Sequence, residues 1–422
     1  MGIMHSRSLN LVIQITILIT KVRASMSKLT ITITITIASI GICLALGGCG
    51  NTMLPKSETN MLFWTQDQRD ARFRQIEKFA PGNVVAAGGA VRELPKGTAF
   101  PETLTVGGKP LTMDAYMAAQ RHAGLIILQD GKVRFERYAL GFGPQERWTS
   151  FSVAKSLAST LVGAAVKDGY LKSIDDPITR YIPELGGSGY DGVTIRQVLT
   201  MTSGVKWNED YADPKSDVAL FNDVKAEPGM DVTVSYMRKL PREAAPGSKW
   251  VYKTGETNLI GVLVSKATGK TLSAYLSEKI WKPYGMAADA IWVTNASGNE
   301  ISGCCISARL SDYARFGQFI LEGGIAAGKP VLPANWLASA TTKQADIGVP
   351  GRGYGYQWWT YDDGSVAAQG IFGQGIFIDP KRKLVIASNG DWPKATMPDS
   401  AGPQRQAFYK AVQAAVDSGA TR

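Results

Sequence analysis

The sequence predicts an α+β fold in which one antiparallel sheet, built from both ends of the chain, is flanked by helices and interrupted by an inserted helical subdomain. Three observations predict it. Residues 124–138 read as a hairpin: Gly124-Leu-Ile-Ile-Leu-Gln, an Asp130-Gly131 turn pair, and an alternating run from Lys132 to Tyr138. Residues 375–388 repeat the pattern around Pro380-Lys-Arg-Lys. Between them, about residues 152–323 carry helical stretches separated by loops.

Taken in chain order, residues 1–48 hold Arg7, Lys21, Arg23 and Lys28, no acidic residue, and two apolar stretches. The second ends in Leu46-Gly47-Gly48-Cys49, so positive region, apolar run and small residues meet at a cysteine in the manner of a lipoprotein export signal. Met26 is then the simplest start, with 1–25 a doubtful upstream extension, 26–48 the signal and Cys49 the lipidated residue. Gly50 after that cysteine, by analogy with Gram-negative sorting, points to the periplasmic face of the outer membrane. Without the leader the net charge falls from +10 to +6 over 374 residues, with Lys and Arg dispersed, so nucleic acid is not an expected partner. The membrane is, through the lipid.

Residues 49–60 read as a tether, and 61–422 as one domain whose first part, to about Met113, wraps as an arm of low periodicity. Helices are expected at 156–171, 195–199, 258–268, 272–280 and, as a tail, 403–416. Cys304 and Cys305 are adjacent, a spacing that rarely closes a disulfide, and are expected as small buried side chains. The only histidines, His5 and His122, cannot build a multi-histidine metal site and leave one candidate base for a Ser-His-Asp triad. No metal and no organic cofactor is expected, and the oligomeric state is left open.

Ser152-Val-Ala-Lys155 sits at the start of a helical stretch, where the three-residue spacing brings an amine beside a hydroxyl. A buried lysine of lowered pKa can activate serine without histidine, and a helix N-terminus favours a developing oxyanion. The bland alternative is an N-cap serine and a solvated lysine. Ser-x-x-Lys also begins at Ser25, in the leader, and at Ser203, in a Thr-Ser-Gly turn, where no helix would align it. Tyr252, in Trp250-Val-Tyr-Lys-Thr254, is a candidate proton relay, read as base toward Ser152 and acid toward a leaving group. The Gly370-Ile371-Phe-Gly373 run lets an edge strand lie close to substrate.

Together these motifs resemble the penicillin-recognising serine hydrolases, related to class C β-lactamases, and most of all the 6-aminohexanoate-dimer hydrolases. The likeness is strengthened by Leu199-Thr-Met-Thr-Ser-Gly204, Trp207-Asn-Glu-Asp-Tyr211, the run from Cys304 to Gly317, and Gly353-Tyr-Gly-Tyr-Gln-Trp358-Trp359. It implies a β-lactamase/transpeptidase-like fold and a serine hydrolase that cleaves a small amide or ester through an acyl-enzyme. By the same resemblance Ser152 is the nucleophile, Lys155 its activator and Tyr252 the third catalytic group. Backbone N–H groups of Ser152 and Ile371 would form the oxyanion hole, with Tyr211, Thr254 and Gly370 contacting substrate and Trp358 and Trp359 in the cleft wall. Two departures stand out: Thr254 replaces the family's Asn, and Ala368-Gln369-Gly370 lacks the cation that often binds a substrate carboxylate. Both argue against β-lactam or D,D-peptide substrates. The alternatives are an esterase or D-amino-acid peptidase acting on cell-wall fragments, and a non-catalytic binding lipoprotein of the same fold.

Overall fold

A computed structural model of the chain describes residues 60–221 and 223–419. The leader, Cys49 and most of the expected tether lie outside the described residues. Both expected hairpins are present. β1 (His122–Gln129) and β2 (Lys132–Tyr138) turn through Asp130 and Gly131, whose φ values of 50° and 72° suit the tight twist-matched hairpin turn. β3 (Arg352–Tyr354), β4 (Trp359–Tyr361), β5 (Val366–Gln369), β6 (Gly375–Asp379) and β7 (Leu384–Gly390) follow in sequence. β7 pairs antiparallel with β1, which joins the two ends of the chain in a seven-stranded sheet of order β3-β4-β5-β6-β7-β1-β2.

Strand alternation explains the layers on either side. Ile126, Leu128, Ile376, Ile378, Val385 and Ala387 face the larger core, with helices α1 (Val153–Lys167), α2 (Thr254–Thr268) and α3 (Leu310–Leu321). Leu125, Ile127, Phe377, Leu384 and Ile386 face a second core closed by Phe408, Tyr409 and Val412 of α4 (Ala401–Asp417). With both faces covered, the middle residues of the central strands, 125–128, 376–378 and 384–387, are apolar on both sides.

A four-stranded sheet that the sequence did not announce decides where the motifs meet. It runs Gly82–Val85, Ala290–Val293, Ile306–Ala308, Trp148–Thr149, in strands of only two to four residues. Its last pair sets the residues before Ser152 against those after Cys305. α1 begins at Val153, directly after Ser152 as the Ser-x-x-Lys motif implied, whereas α2 begins at Thr254 rather than 258. The 272–280 stretch is a short helix, Leu272–Leu276, running into a π-turn at Ser277–Trp281. Among the described residues no helix is long and apolar enough to cross a membrane.

Candidate active site

Ser152 occupies the position before α1 but makes no capping hydrogen bond with its side chain. The hydroxyl instead accepts from Lys155 Nζ at 3.2 Å. Lys155 is 1% exposed, so the solvated-lysine alternative is excluded. Burial pushes its ammonium down to about 7, partly opposed by the charge of Glu209. Its Nζ makes two further bonds, to Thr254 Oγ1 at 2.9 Å and to the Gly303 carbonyl at 2.6 Å. Gly303 must be glycine to come this near, because a Cβ there would lie 2.8 Å from Thr254 Cγ2 and 2.9 Å from the Thr254 carbonyl.

Glu209 is the residue that sequence reasoning missed. Its carboxylate accepts from the Thr254 backbone N–H at 2.9 Å, from Tyr211 Oη at 2.8 Å, and closely from Thr254 Oγ1 and Trp207 Nε1. A carboxylate at the first residue of α2 also complements the positive end of that helix. The Thr254 hydroxyl proton is committed to Glu209, so toward Lys155 it can only accept. Thr254, read from the sequence as a substrate contact, therefore also orients the lysine. In the sequence Glu209 stands in the run at 207–211, two residues before Tyr211, but nothing local assigns it a partner.

The Lys155 ammonium lies 5.2 Å from the centroid of the Tyr252 ring, which Trp359 stacks at 5.5 Å. Burial first, and then Glu209, push the Tyr252 phenol well above its ordinary value, while the Ser152 hydroxyl pulls it back in part. The phenol is thus held protonated at neutral pH, which favours the acid half of its expected role, toward the leaving group. Lys253 plays no part: it turns to Glu256, 3.8 Å away in the interior. Neither Ser152 N–H nor Ile371 N–H has a protein acceptor among the described residues, so both are available to an oxyanion.

Residues of left-handed backbone flank these two donors, Phe151 at φ 44° and Phe372 at φ 59°. Each such position costs about 1–3 kcal/mol and persists only where packing over-determines it. Here the two rings sit 5.1 Å apart and both pack on Phe73, at 5.0 and 5.5 Å. At Gly370 a Cβ would meet the Ser150 carbonyl at 2.5 Å. The close approach that this glycine permits is therefore between β5 and the start of α1, which brings Ile371 beside Ser152.

Ser152 opens on two cavities of about 360 Å³ each, both also lined by Tyr211 and Ile371. The first is walled by Asn60, Leu62, Phe221, Thr254 and Gly303. The second is walled by Tyr252, Trp359, Gln369, Gly370, Trp392 and Arg405. Trp358, expected in the cleft wall, is fully buried against Phe316 instead; only Trp359 reaches the cleft. Arg405 was also missed, since it arrives from α4 and not from the strand motif. Among the described residues no group of His, Cys, Asp and Glu is arranged to hold a metal.

The competing motifs are accounted for. Ser203 gives its hydroxyl to Glu256, and Lys206 is exposed. His122 is 1% exposed in the interior, with its imidazole pushed down to about 3 by burial, and lines neither cavity. Cys304 and Cys305 line the first cavity, Cys305 buried with a left-handed backbone at φ 75° and Cys304 half-buried, where both were expected as buried side chains.

Comparison with known proteins identifies the family and the fold. The family model described as Beta-lactamase matches residues 112–395. The 6-aminohexanoate-dimer hydrolase of Paenarthrobacter ureafaciens is 30% identical over 284 residues, covering 64% of this chain and 72% of that protein. Esterase EstB of Burkholderia gladioli is 32% identical over 142 residues, 32% of this chain and 36% of the esterase. A solved Bacillus anthracis structure described as a candidate 6-aminohexanoate-dimer hydrolase superposes with a TM-score of 0.74 at 22% identity, covering 87% of this chain and 98% of that one.

Proposed function

From the premise that this chain belongs to the β-lactamase family of serine hydrolases, we propose that Ser152 is its nucleophile, Lys155 the base that activates it and Tyr252 the acid that protonates the leaving group. The observation that carries this reading is the direction of the hydrogen bonds on Lys155. Gly303 O can only accept, and Thr254 Oγ1 has given its proton to Glu209. The ammonium gives its third hydrogen to Ser152 Oγ; once that proton is lost, these acceptors keep the two remaining hydrogens and the lone pair faces Ser152. With the amine near pH 7 and the phenol protonated, base and acid are separated by environment.

Ser152 then attacks an amide or ester carbonyl whose oxygen rests on the N–H groups of Ser152 and Ile371, and the bond to nitrogen or oxygen breaks as Tyr252 supplies a proton. Water frees the acid from the acyl-enzyme by the same groups in reverse. The 30% identity to a 6-aminohexanoate-dimer hydrolase supports an amide substrate of that type, and the likeness to EstB supports ester turnover on the same site. The same reading places the enzyme in the cell envelope, lipidated at Cys49, and the leader sequence is its support.

A fluorophosphonate is expected to add once to the full-length protein, on Ser152, as read by intact mass and peptide mapping. An unlabelled Ser152 in folded protein would sink the assignment. His122→Gln should leave labelling and kcat/KM for an activated ester unchanged, because the imidazole touches neither cavity. Lost chemistry in a folded His122→Gln protein would restore the histidine triad.

A further inference from the structure

Resting on the Ser152 hydrolase reading, we propose that Arg69 is a positioning residue for the oxyanion hole: from the N-terminal arm it fixes Phe372 and residues 391–395, and through them the N–H of Ile371. Arg69 lies on the short helix Gln66–Arg72, inside the arm of low periodicity. It is 5% exposed. Nε donates to Asp391 Oδ1 at 2.7 Å and Nη1 to the Trp64 carbonyl at 2.7 Å. Nη2 donates to Gln66 Oε1 at 3.0 Å and to the Trp392 and Pro393 carbonyls, each at 3.2 Å. The guanidinium also lies over the Phe372 ring, 4.7 Å from its centroid.

The segment that Arg69 grips is bonded to both sides of Phe372. The Phe372 N–H donates to the Ala395 carbonyl at 2.9 Å, and the Trp392 N–H donates to the Phe372 carbonyl at 3.0 Å. Phe372 directly follows Ile371 and holds its left-handed backbone only because its surroundings impose it. On the other side of Ile371, the Gly370 N–H donates to the Gln374 carbonyl at 3.0 Å. Ile371 is thus suspended between a strand end and a residue whose ring and backbone are both tied to Arg69. The second oxyanion donor is reached from the same face of the arm. Phe73, four residues after Arg69, packs on both Phe151 and Phe372. Its carbonyl accepts the Thr149 N–H at 3.0 Å, three residues before Ser152.

Burying a guanidinium with a carboxylate offsets much of their attraction by desolvation, so stability alone is a weak reason for this pair. What the planar fork supplies is direction: it meets Asp391 and the loop carbonyls at fixed angles while stacking on Phe372. Direction matters at an oxyanion hole, where a donor must stand about 2.7–3.1 Å from the developing charge and a shift of about 1 Å costs on the order of 10²-fold in rate. The same loop walls the second cavity through Trp392 and Ala395, so the arm that carries no reacting group shapes both the oxyanion donor and the cleft beside it.

Two variants of the full-length protein test this at pH 8, above the value of about 7 to which burial raises the Asp391 carboxyl. Arg69→Met with Asp391→Leu removes both charges together and leaves no unpaired ion inside. Its kcat for an activated ester is expected to fall on the order of 10²-fold with KM nearly unchanged. Its affinity for phenylboronic acid, whose tetrahedral adduct on Ser152 puts an oxygen in the oxyanion hole, should fall by about the same factor. Arg69→Lys keeps a cation beside Asp391 but cannot hold the carboxylate and both loop carbonyls at once, so it should stay folded and lose roughly tenfold in kcat; it decides the matter if the double variant does not fold. Wild-type kcat in either folded variant would overturn the proposal, as would a fall in kcat that leaves boronate affinity untouched. The fluorophosphonate adduct in the unmodified protein keeps the two failures apart. Its absence sinks the hydrolase reading, whereas its presence with unchanged kinetics in the variants sinks only the role of Arg69.

Discussion

Ser152→Ala is expected to lower turnover of an activated ester on the order of 10⁴-fold or more, the scale seen when a nucleophile is removed from an interdependent catalytic set. The fold should hardly notice. Ser152 makes no cap bond, so the usual cost of deleting an N-cap serine does not arise. Lys155 keeps Thr254 and Gly303 as acceptors, so no buried donor is orphaned. Thermal unfolding should therefore move by less than about 1 kcal/mol. The pairing of these outcomes is what separates enzyme from binding lipoprotein: a ligand-binding role would survive the substitution, and residual turnover at the original rate would remove Ser152 from the chemistry.

How much of this was legible in the sequence follows from what each element depends on. The hairpins at 124–138 and 375–388 were readable because alternation and turn chemistry are local. The four-stranded sheet was not, because two-residue strands such as Trp148–Thr149 carry no period and exist only through long-range pairing. The start of α2 was read late for a physical reason: Thr254, Glu256 and Thr257 are polar residues in a buried first turn, and they break the apolar pattern that marks a helix. Ser152, Lys155 and Tyr252 were found through spacing and family resemblance. Glu209 and Arg405 were not: Glu209 lies in the run at 207–211, where only Tyr211 was assigned a role, and Arg405 lies outside every motif that the resemblance carries. One is fixed by a turn that meets the N-terminus of α2, the other by a helix that closes the sheet, and only the tertiary fold brings them to one cavity. The strand motif alone suggested a site without a cation; α4 brings one to that cavity's wall.

Lys155→Met should lower acylation by roughly 10²–10⁴-fold, the range for losing a positioned general base. The wild-type pH profile should carry the signature of that base. With the amine at about 7, kcat/KM rises about tenfold per pH unit below 7 and flattens above it, because only the neutral amine accepts the serine proton. Lys155→Met should lose that limb along with the rate. Glu209→Gln offers a finer reading. Glu209 raises the amine's pKa, so removing its charge should move the limb to lower pH, while the weaker hold on Thr254 lowers the plateau. Stability gives an independent check. The folded amine sits at about 7, below its ordinary 10.5, so the unfolded chain binds the proton more readily and wild-type stability rises between about pH 7 and 10.5. Below pH 7 the penalty of burying the ammonium is complete. Lys155→Met lacks it, and should melt higher relative to wild type at pH 6 than at pH 10. A limb that stays in place in Glu209→Gln, or a melting difference that ignores pH, would mean that Lys155 does not act as the neutral base that this arrangement of acceptors allows.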